Sequence, residues 1–162
     1  TIAGRVADQF ALVPAVYVMF CRSNPVQRRE VLLQLREGTG FMDGYWAHAA
    51  AGHVELGESA IDAAVREAAE ELGVELLSSE LKPLTVLHRR HADGSEPVDH
   101  RVDFFYECRT WSGEPRRMEP LKSADLRWWP VDELPEKLVD HERFVIEAHH
   151  SGQLAPIHSY GF

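Results

Sequence analysis

The stretch GHVELGESAIDAAVREAAEELGV, from Gly52 to Val74, contains the strongest helix signal in the chain. Ser59 and Asp62 form an S-x-x-D pair, which caps a helix start by offering a side-chain acceptor to an unpaired N–H. Gly73 supplies the left-handed residue that ends a helix. Between them Ile61, Ala64, Val65, Ala68 and Leu72 recur at helical spacing and make one apolar stripe. The other side carries Glu67, Glu70 and Glu71. At roughly 100° per residue, the three carboxylates fall within about 100° of arc. They repel one another unless they are solvated or gathered around a cation. Oxygen-only donors suit a hard ion, which means Mg²⁺, with Mn²⁺ able to substitute. A solvated acidic face is a common feature of helices on its own, so the flanking residues must decide.

Gly52, Glu58, Arg66, Glu67, Glu70, Glu71 and Gly73 stand at the spacing G-x5-E-x7-R-E-x-x-E-E-x-G. With each residue type near roughly 6% of usage, a chance match in a chain this long is about one in a million. The segment resembles the Nudix box at all seven fixed positions. Val74 fills its last aliphatic slot, and Ala68 fills the other with a smaller side chain. The resemblance implies an α+β domain of the Nudix fold, a mixed β-sheet sandwiched between α-helices. It implies a Mg²⁺-dependent hydrolase that cuts a phosphoanhydride bond in a nucleoside diphosphate linked to a further group.

The same resemblance assigns roles. Glu67 and Glu71, one turn apart, become the main metal ligands. Glu70 completes the metal site directly or through water, and Glu58 contacts metal-bound water. Many family members carry Pro-Gly-Gly before the box, whereas this chain has Ala50-Ala51-Gly52. The Ala51 carbonyl remains available to a metal. Arg66 is expected to point away from the metal edge. It either clamps the preceding loop through an ion pair or makes an exposed pair with Glu70. The catalytic base lies within the box, at Glu67 or Glu70, or in a later loop. Glu119, between Gly113-Glu114-Pro115 and Pro120, is the candidate there. Asp103 reads instead as an edge residue of an apolar strand.

Outward from the box, Ala15 to Cys21 reads as a strand buried on both faces, with Pro14 just before it. Val31 to Leu35 is a second strand, and Gly38 to Gly44 is a loop. Trp46 to Val54 is extended. Leu84 to His91 and Arg101 to Cys108 are strands around an Asp93-Gly94 turn, and Leu126 to Trp129 is another. Asp140 to His150 is a second helix with Phe144, Val145 and Ala148 inward and Gly152 after its end. Phe41, Tyr45 and Trp46 surround the loop before the box and are candidates for stacking on a base. Core packing is the competing role for them, as it is for Trp128 and Trp129. The histidines lack metal spacing, so no zinc is assigned, and His149-His150 reads as surface.

The 162 residues make one domain's worth, and the expected unit is a single domain over 1–162. The net charge of −9 disfavours a nucleic-acid polymer as partner and leaves small phosphorylated substrates, neutralised by divalent cations. Two cysteines, Cys21 and Cys108, without a CxxC pair point to a reducing compartment, and the expected location is the cytoplasm. The longest apolar run, Phe10 to Phe20, is too short to span a membrane and lacks a small-residue cleavage site. Thr1 is not a methionine, so further residues before it are expected. The protein is expected to be a monomer or a homodimer.

Two other functions compete. The Ala-Gly-His of residues 51–53 is also similar to the isopentenyl diphosphate isomerases of the same fold. Their chemistry needs an active-site cysteine opposite a glutamate, and Cys21 lies in a buried-looking strand. A non-catalytic, ligand-sensing domain is the third reading. Such domains often lose box carboxylates, and here all are present.

Overall fold

The computed structural model describes residues 9–162, so the first eight residues of the expected domain lie outside the described residues. Strand β1 (Val13–Ser23) sits at the centre of the sheet. Its alternation is apolar on both sides because each side meets a separate core. Val16, Val18 and Phe20 pack with the box helix, α1 (Ala60–Leu72). Ala15, Tyr17 and Met19 pack with Val145 and Ile146 of α2 (Asp140–His150). The sheet is therefore held between two helices, and each buried aliphatic or aromatic side chain contributes about 1.5–3 kcal/mol.

The remaining strands are β2 (Arg29–Arg36), β3 (Trp46–His48), β4 (Ala50–His53), β5 (Leu81–Arg90), β6 (His100–Cys108), β7 (Ser123–Pro130) and β8 (Ile157–Tyr160). The sheet runs β3-β2-β1-β6-β5-β8, with β4 also on β1 and β7 also on β2. β1 runs parallel to β6, and β5 parallel to β8, while the other pairings are antiparallel. This is the mixed α+β sheet that the box implied.

Helix α1 begins and ends where its caps dictate. Asp62 N–H donates to Ser59 Oγ at 3.1 Å. Gly73 adopts φ 68°, and its N–H donates to Ala69 O. The buried face centres on Ala63, Ala64, Ala68 and Leu72, with Ile61 and Val65 only partly buried at its margin.

Some expectations need correcting. Pro14 is the second residue of β1 and pairs with Val102, its carbonyl accepting from Val54 N–H. β8 escaped the sequence reading because it has only four residues and mixes His and Ser into its pattern. In α2 the buried residues are His141, Glu142, Val145 and Ile146, while Phe144 and Ala148 are only partly buried. Asp103 is no edge residue. It is fully buried in β6, between β1 and β5, and Arg89 donates Nε–H to its Oδ2 at 2.6 Å. His149 is not free surface, because it pairs with buried Glu107.

Candidate active site

A cavity of about 760 Å³ opens between α1, the sheet and α2, and Glu67, Glu71 and Glu119 all line it. Glu67 and Glu71 are four residues apart and share a helix face. Glu70 is turned outward, its side chain 54% exposed, and it does not line the cavity. Of the three carboxylates that helical spacing puts on one side of α1, two therefore face the cavity.

Gly52 leaves room for the Glu67 carboxylate, which any larger residue there would push aside. A Cβ there would lie 2.2 Å from Glu67 Oε1. The first glycine of the motif lets the β4 backbone pass directly under the carboxylate. Ala51 N–H donates to Glu71 Oε2 at 2.7 Å, so the Ala51 contact to the box runs through its amide. Burial raises the carboxyl pKa of Glu67, and the negative charges of Glu70 and Glu119 add to it. Burial raises Glu71 further, with Glu67 and Glu119 contributing.

Arg66 does not point away from this edge. Its guanidinium donates to Glu58 at 2.7 and 3.1 Å, to Glu67 at 2.9 Å, to Glu70 at 3.1 Å and to the His53 carbonyl at 3.1 Å. The loop clamp and the pair with Glu70 coexist, because the planar guanidinium carries five donors. Glu58 is held between Arg66 and the Glu55 N–H and does not line the cavity.

Glu119 reaches the cavity through backbone bonds at the end of α1. The last carbonyls of a helix lack intrahelical partners. Here Met118 N–H donates to Glu71 O, and Arg116 N–H donates to Leu72 O, both at 3.1 Å. The loop between β6 and β7 is thereby tied beside Glu71. On its other flank Glu37 N–H donates to Lys122 O, and a Cβ at Gly38 would meet Leu121 O at 2.7 Å.

Mutual repulsion of enclosed carboxylates, with Arg66 bonded to only one of the three, is a donor set that fits a hard cation. Among the described residues no three acidic, histidine or cysteine side chains already converge as a metal cage. Glu67 is engaged by Arg66 and Glu71 by Ala51.

Of the aromatic candidates, Phe41 lines the cavity, but Tyr45 and Trp46 do not. Trp46 packs edge-on against Trp129 in the core beside α2, because β3 pairs with β2 there. Neither cysteine lines the cavity, and burial pushes the Cys21 thiol up to about 12.

The same cavity has a further polar wall that the sequence reading missed, formed by Tyr17, His48, His141 and Glu142. Tyr17 Oη and His141 Nε2 share a hydrogen bond at 3.0 Å. The backbone N–H of His48 donates to Glu142 Oε1 at 2.6 Å, and the ring Nδ1 lies 2.7 Å from the same oxygen. Burial alone would raise the Glu142 carboxyl, but the hydrogen bonds from His48 override it and hold the group below its ordinary value. His48 interrupts the otherwise apolar run from Trp46 to Ala51, and that is the one signal that could have found it; His141 and Glu142 stand in the polar start of α2, which gives none.

His141 gives a pH prediction. Burial lowers its pKa to about 3. Between its unfolded value near 6.5 and about 3, the unfolded chain takes up a proton that the folded chain refuses. Stability from this group is complete above about pH 6.5 and falls on acidification, by up to about 1.4 kcal/mol per pH unit. Urea unfolding of metal-free wild-type and His141→Gln protein from pH 7 to 5 measures it. The wild type is expected to lose stability relative to the variant, and a constant difference would refute the neutral, buried ring.

A mixed sheet held between two helices, with a glutamate-lined cavity beside the capped helix α1, is the architecture of a Nudix hydrolase. The family model described as NUDIX domain matches residues 11–148, and the chain belongs to the Nudix hydrolase family. It is 37% identical over 87 residues to a putative mutator protein MutT4 of Mycobacterium tuberculosis, covering 54% of this chain but only 34% of that protein. It is 30% identical over 135 residues to an isopentenyl-diphosphate Delta-isomerase of Cereibacter sphaeroides, covering 80% of this chain and 70% of the relative. It is 29% identical over 116 residues to the nucleoside triphosphatase NudI of Escherichia coli, covering 69% and 77%. A solved MutT NUDIX hydrolase from Burkholderia pseudomallei superposes with TM-score 0.71 at 28% identity, covering 85% of this chain and 97% of that one.

Proposed function

We propose that this chain is a Mg²⁺-dependent hydrolase of a phosphoanhydride bond in a nucleoside diphosphate linked to a further group, with nucleoside triphosphates as the favoured substrates. The observation that carries the reading is the meeting of Glu67, Glu71 and Glu119 in one cavity large enough for a nucleotide. Glu67 and Glu71 would hold the ion, with Glu70, Glu58 and the Ala51 carbonyl available directly or through water. When bound, Mg²⁺ supplies charge neutralisation to the phosphates and acidifies water. Glu119 accepts the proton of the attacking water as general base. Its freedom for that task rests on two features: it is not bonded to Arg66, and it pairs only loosely with Lys122, at 3.6 Å. Arg66 positions Glu58 and Glu67, and Phe41 at the cavity rim offers a face to a base.

The likeness to the Escherichia coli nucleoside triphosphatase supports this substrate class. The isomerase likeness is the second reading, and the lack of a cysteine on the cavity wall weighs against it. We place the enzyme in the cytoplasm on the strength of its two free thiols, and read it as one domain from the length of the chain. No described helix is long and apolar enough to cross a membrane.

A hydrolysis screen with Mg²⁺ tests the proposal. It covers nucleoside triphosphates, oxidised nucleotides, ADP-ribose, nucleotide sugars and dinucleoside polyphosphates. Metal-dependent release of phosphate or pyrophosphate from at least one nucleotide is expected. No hydrolysis anywhere, with turnover of isopentenyl diphosphate, would replace this reading with the isomerase.

A further inference from the structure

His48 lines the same cavity as the carboxylates, its ring is fully buried, and its Nε2 has no hydrogen-bond partner among the described residues. Buried polar atoms are ordinarily satisfied, so an unpaired ring nitrogen on a cavity wall points to a ligand. The other ring nitrogen is fully committed. Glu142 is a carboxylate and can only accept, so the 2.7 Å contact means that Nδ1 carries the hydrogen. In the uncharged ring this fixes Nε2 as a bare acceptor.

The position is anchored from every side. His48 pairs with Leu33 across β2 and β3. Its carbonyl accepts from Gln34 Nε2 at 3.3 Å, and the Gln34 side chain lies close enough to Glu71 to favour its charged form. Tyr17 and Phe105 pack edge-on against its ring, at 5.9 and 5.5 Å between centroids. The ring cannot swing away to find another partner. One amide side chain therefore links it to the glutamate at the reaction end of the cavity.

Resting on the nucleotide-hydrolase reading above, we infer that His48, oriented by Glu142, is a specificity-determining acceptor for the part of the substrate beyond the phosphates. The ligand group is an N–H or O–H donor, carried by a nucleobase edge or a ribose hydroxyl. The pair resembles an orienting carboxylate–imidazole arrangement, but it recognises rather than reacts, since the carboxylates proposed for the chemistry stand on α1 and on the loop between β6 and β7. A site built to hydrogen-bond such a group discriminates strongly against analogues that lack it, because the buried atom is then left unpaired.

Two measurements test this. In the first, wild type and His48→Asn are compared on ATP, GTP, CTP and UTP, on ribose 5-triphosphate, which has no base, and on 2′,3′-dideoxy-ATP, which lacks the ribose hydroxyls. Asparagine can still donate to Glu142 but has no atom at Nε2. On the preferred nucleotide, KM is expected to rise about tenfold or more while kcat stays within about twofold. The wild-type enzyme should already show that penalty on ribose 5-triphosphate if the donor is on the base, or on dideoxy-ATP if it is on the sugar. Unchanged KM and unchanged discrimination in a variant that still hydrolyses nucleotides would overturn this inference and leave the hydrolase reading intact. A wild type that hydrolyses none of the panel would overturn both. In the second, the ¹⁵N signals of histidine-labelled wild type are followed during titration with AMP, GMP, CMP and UMP. The His48 Nε2 signal is expected to start as a bare nitrogen and shift on binding of the preferred monophosphate. A Nε2 that already bears hydrogen, or that does not move while other signals report binding, would overturn it, whatever the variant's stability.

Discussion

Replacing Glu71 by glutamine is expected to lower kcat by at least about a hundredfold while the protein stays folded. The amide keeps the shape of the side chain and an oxygen for the Ala51 N–H bond, so the structural contact survives. What is lost is one charged ligand at the wall of the cavity. The metal-free variant is expected to be no less stable than the wild type. Burial and the neighbouring charges of Glu67 and Glu119 penalise the ionised form of Glu71, so removing the charge relieves repulsion. Loss of activity with retained thermal stability separates a functional glutamate from a structural one. A Glu71→Gln enzyme that remains active and still responds to metal would sink the metal assignment.

Glu119→Gln is expected to cost a factor of about 10² or more in kcat with metal affinity little changed. Glu119 stands apart from the helix, on a loop held to it by the Met118 and Arg116 amides. Removing its charge leaves the pair of Glu67 and Glu71 in place. Two outcomes are separable by kinetics. If kcat falls and metal affinity holds, the base is in the loop. If Glu119→Gln is unaffected and Glu67→Gln abolishes turnover, the base lies within the box and Glu119 is a bystander.

The box was legible because local chemistry alone specifies it. Ser59 and Gly73 mark the helix ends, and the Ala-rich stripe fixes which side is buried, so the opposite side can be read before any fold is known. The double-sided burial of β1 was legible for a similar reason, since Val16 to Phe20 are apolar at every position. The rotation of Glu70 out of the cavity and the reach of Arg66 across to Glu67 were not. Both depend on where β4 lies against the helix, and no helical periodicity contains that. Glu119 could be named from its position between two strands, but its link to Glu71 depends on helix-end carbonyls finding the 116–118 backbone. The polar wall was the least legible part. His141 and Glu142 sit in the polar start of α2, which reads as ordinary surface, and His48 gives only a single break in an apolar run. His141 is bonded to Tyr17, 124 residues away, and Glu142 to His48, 94 residues away. Long-range pairing of buried polar groups leaves almost no local trace.

The central claim is that the carboxylates of this cavity hold the divalent cation on which catalysis depends. Electron paramagnetic resonance of Mn²⁺ titrated into the metal-free protein tests it without reference to any substrate. Wild type and Glu119→Gln are expected to remove free Mn²⁺ from solution with similar affinity, while Glu71→Gln and Glu67→Gln weaken binding by about ten- to a hundredfold. Equal Mn²⁺ binding by wild type and by the Glu67→Gln, Glu71→Gln double variant would contradict the account.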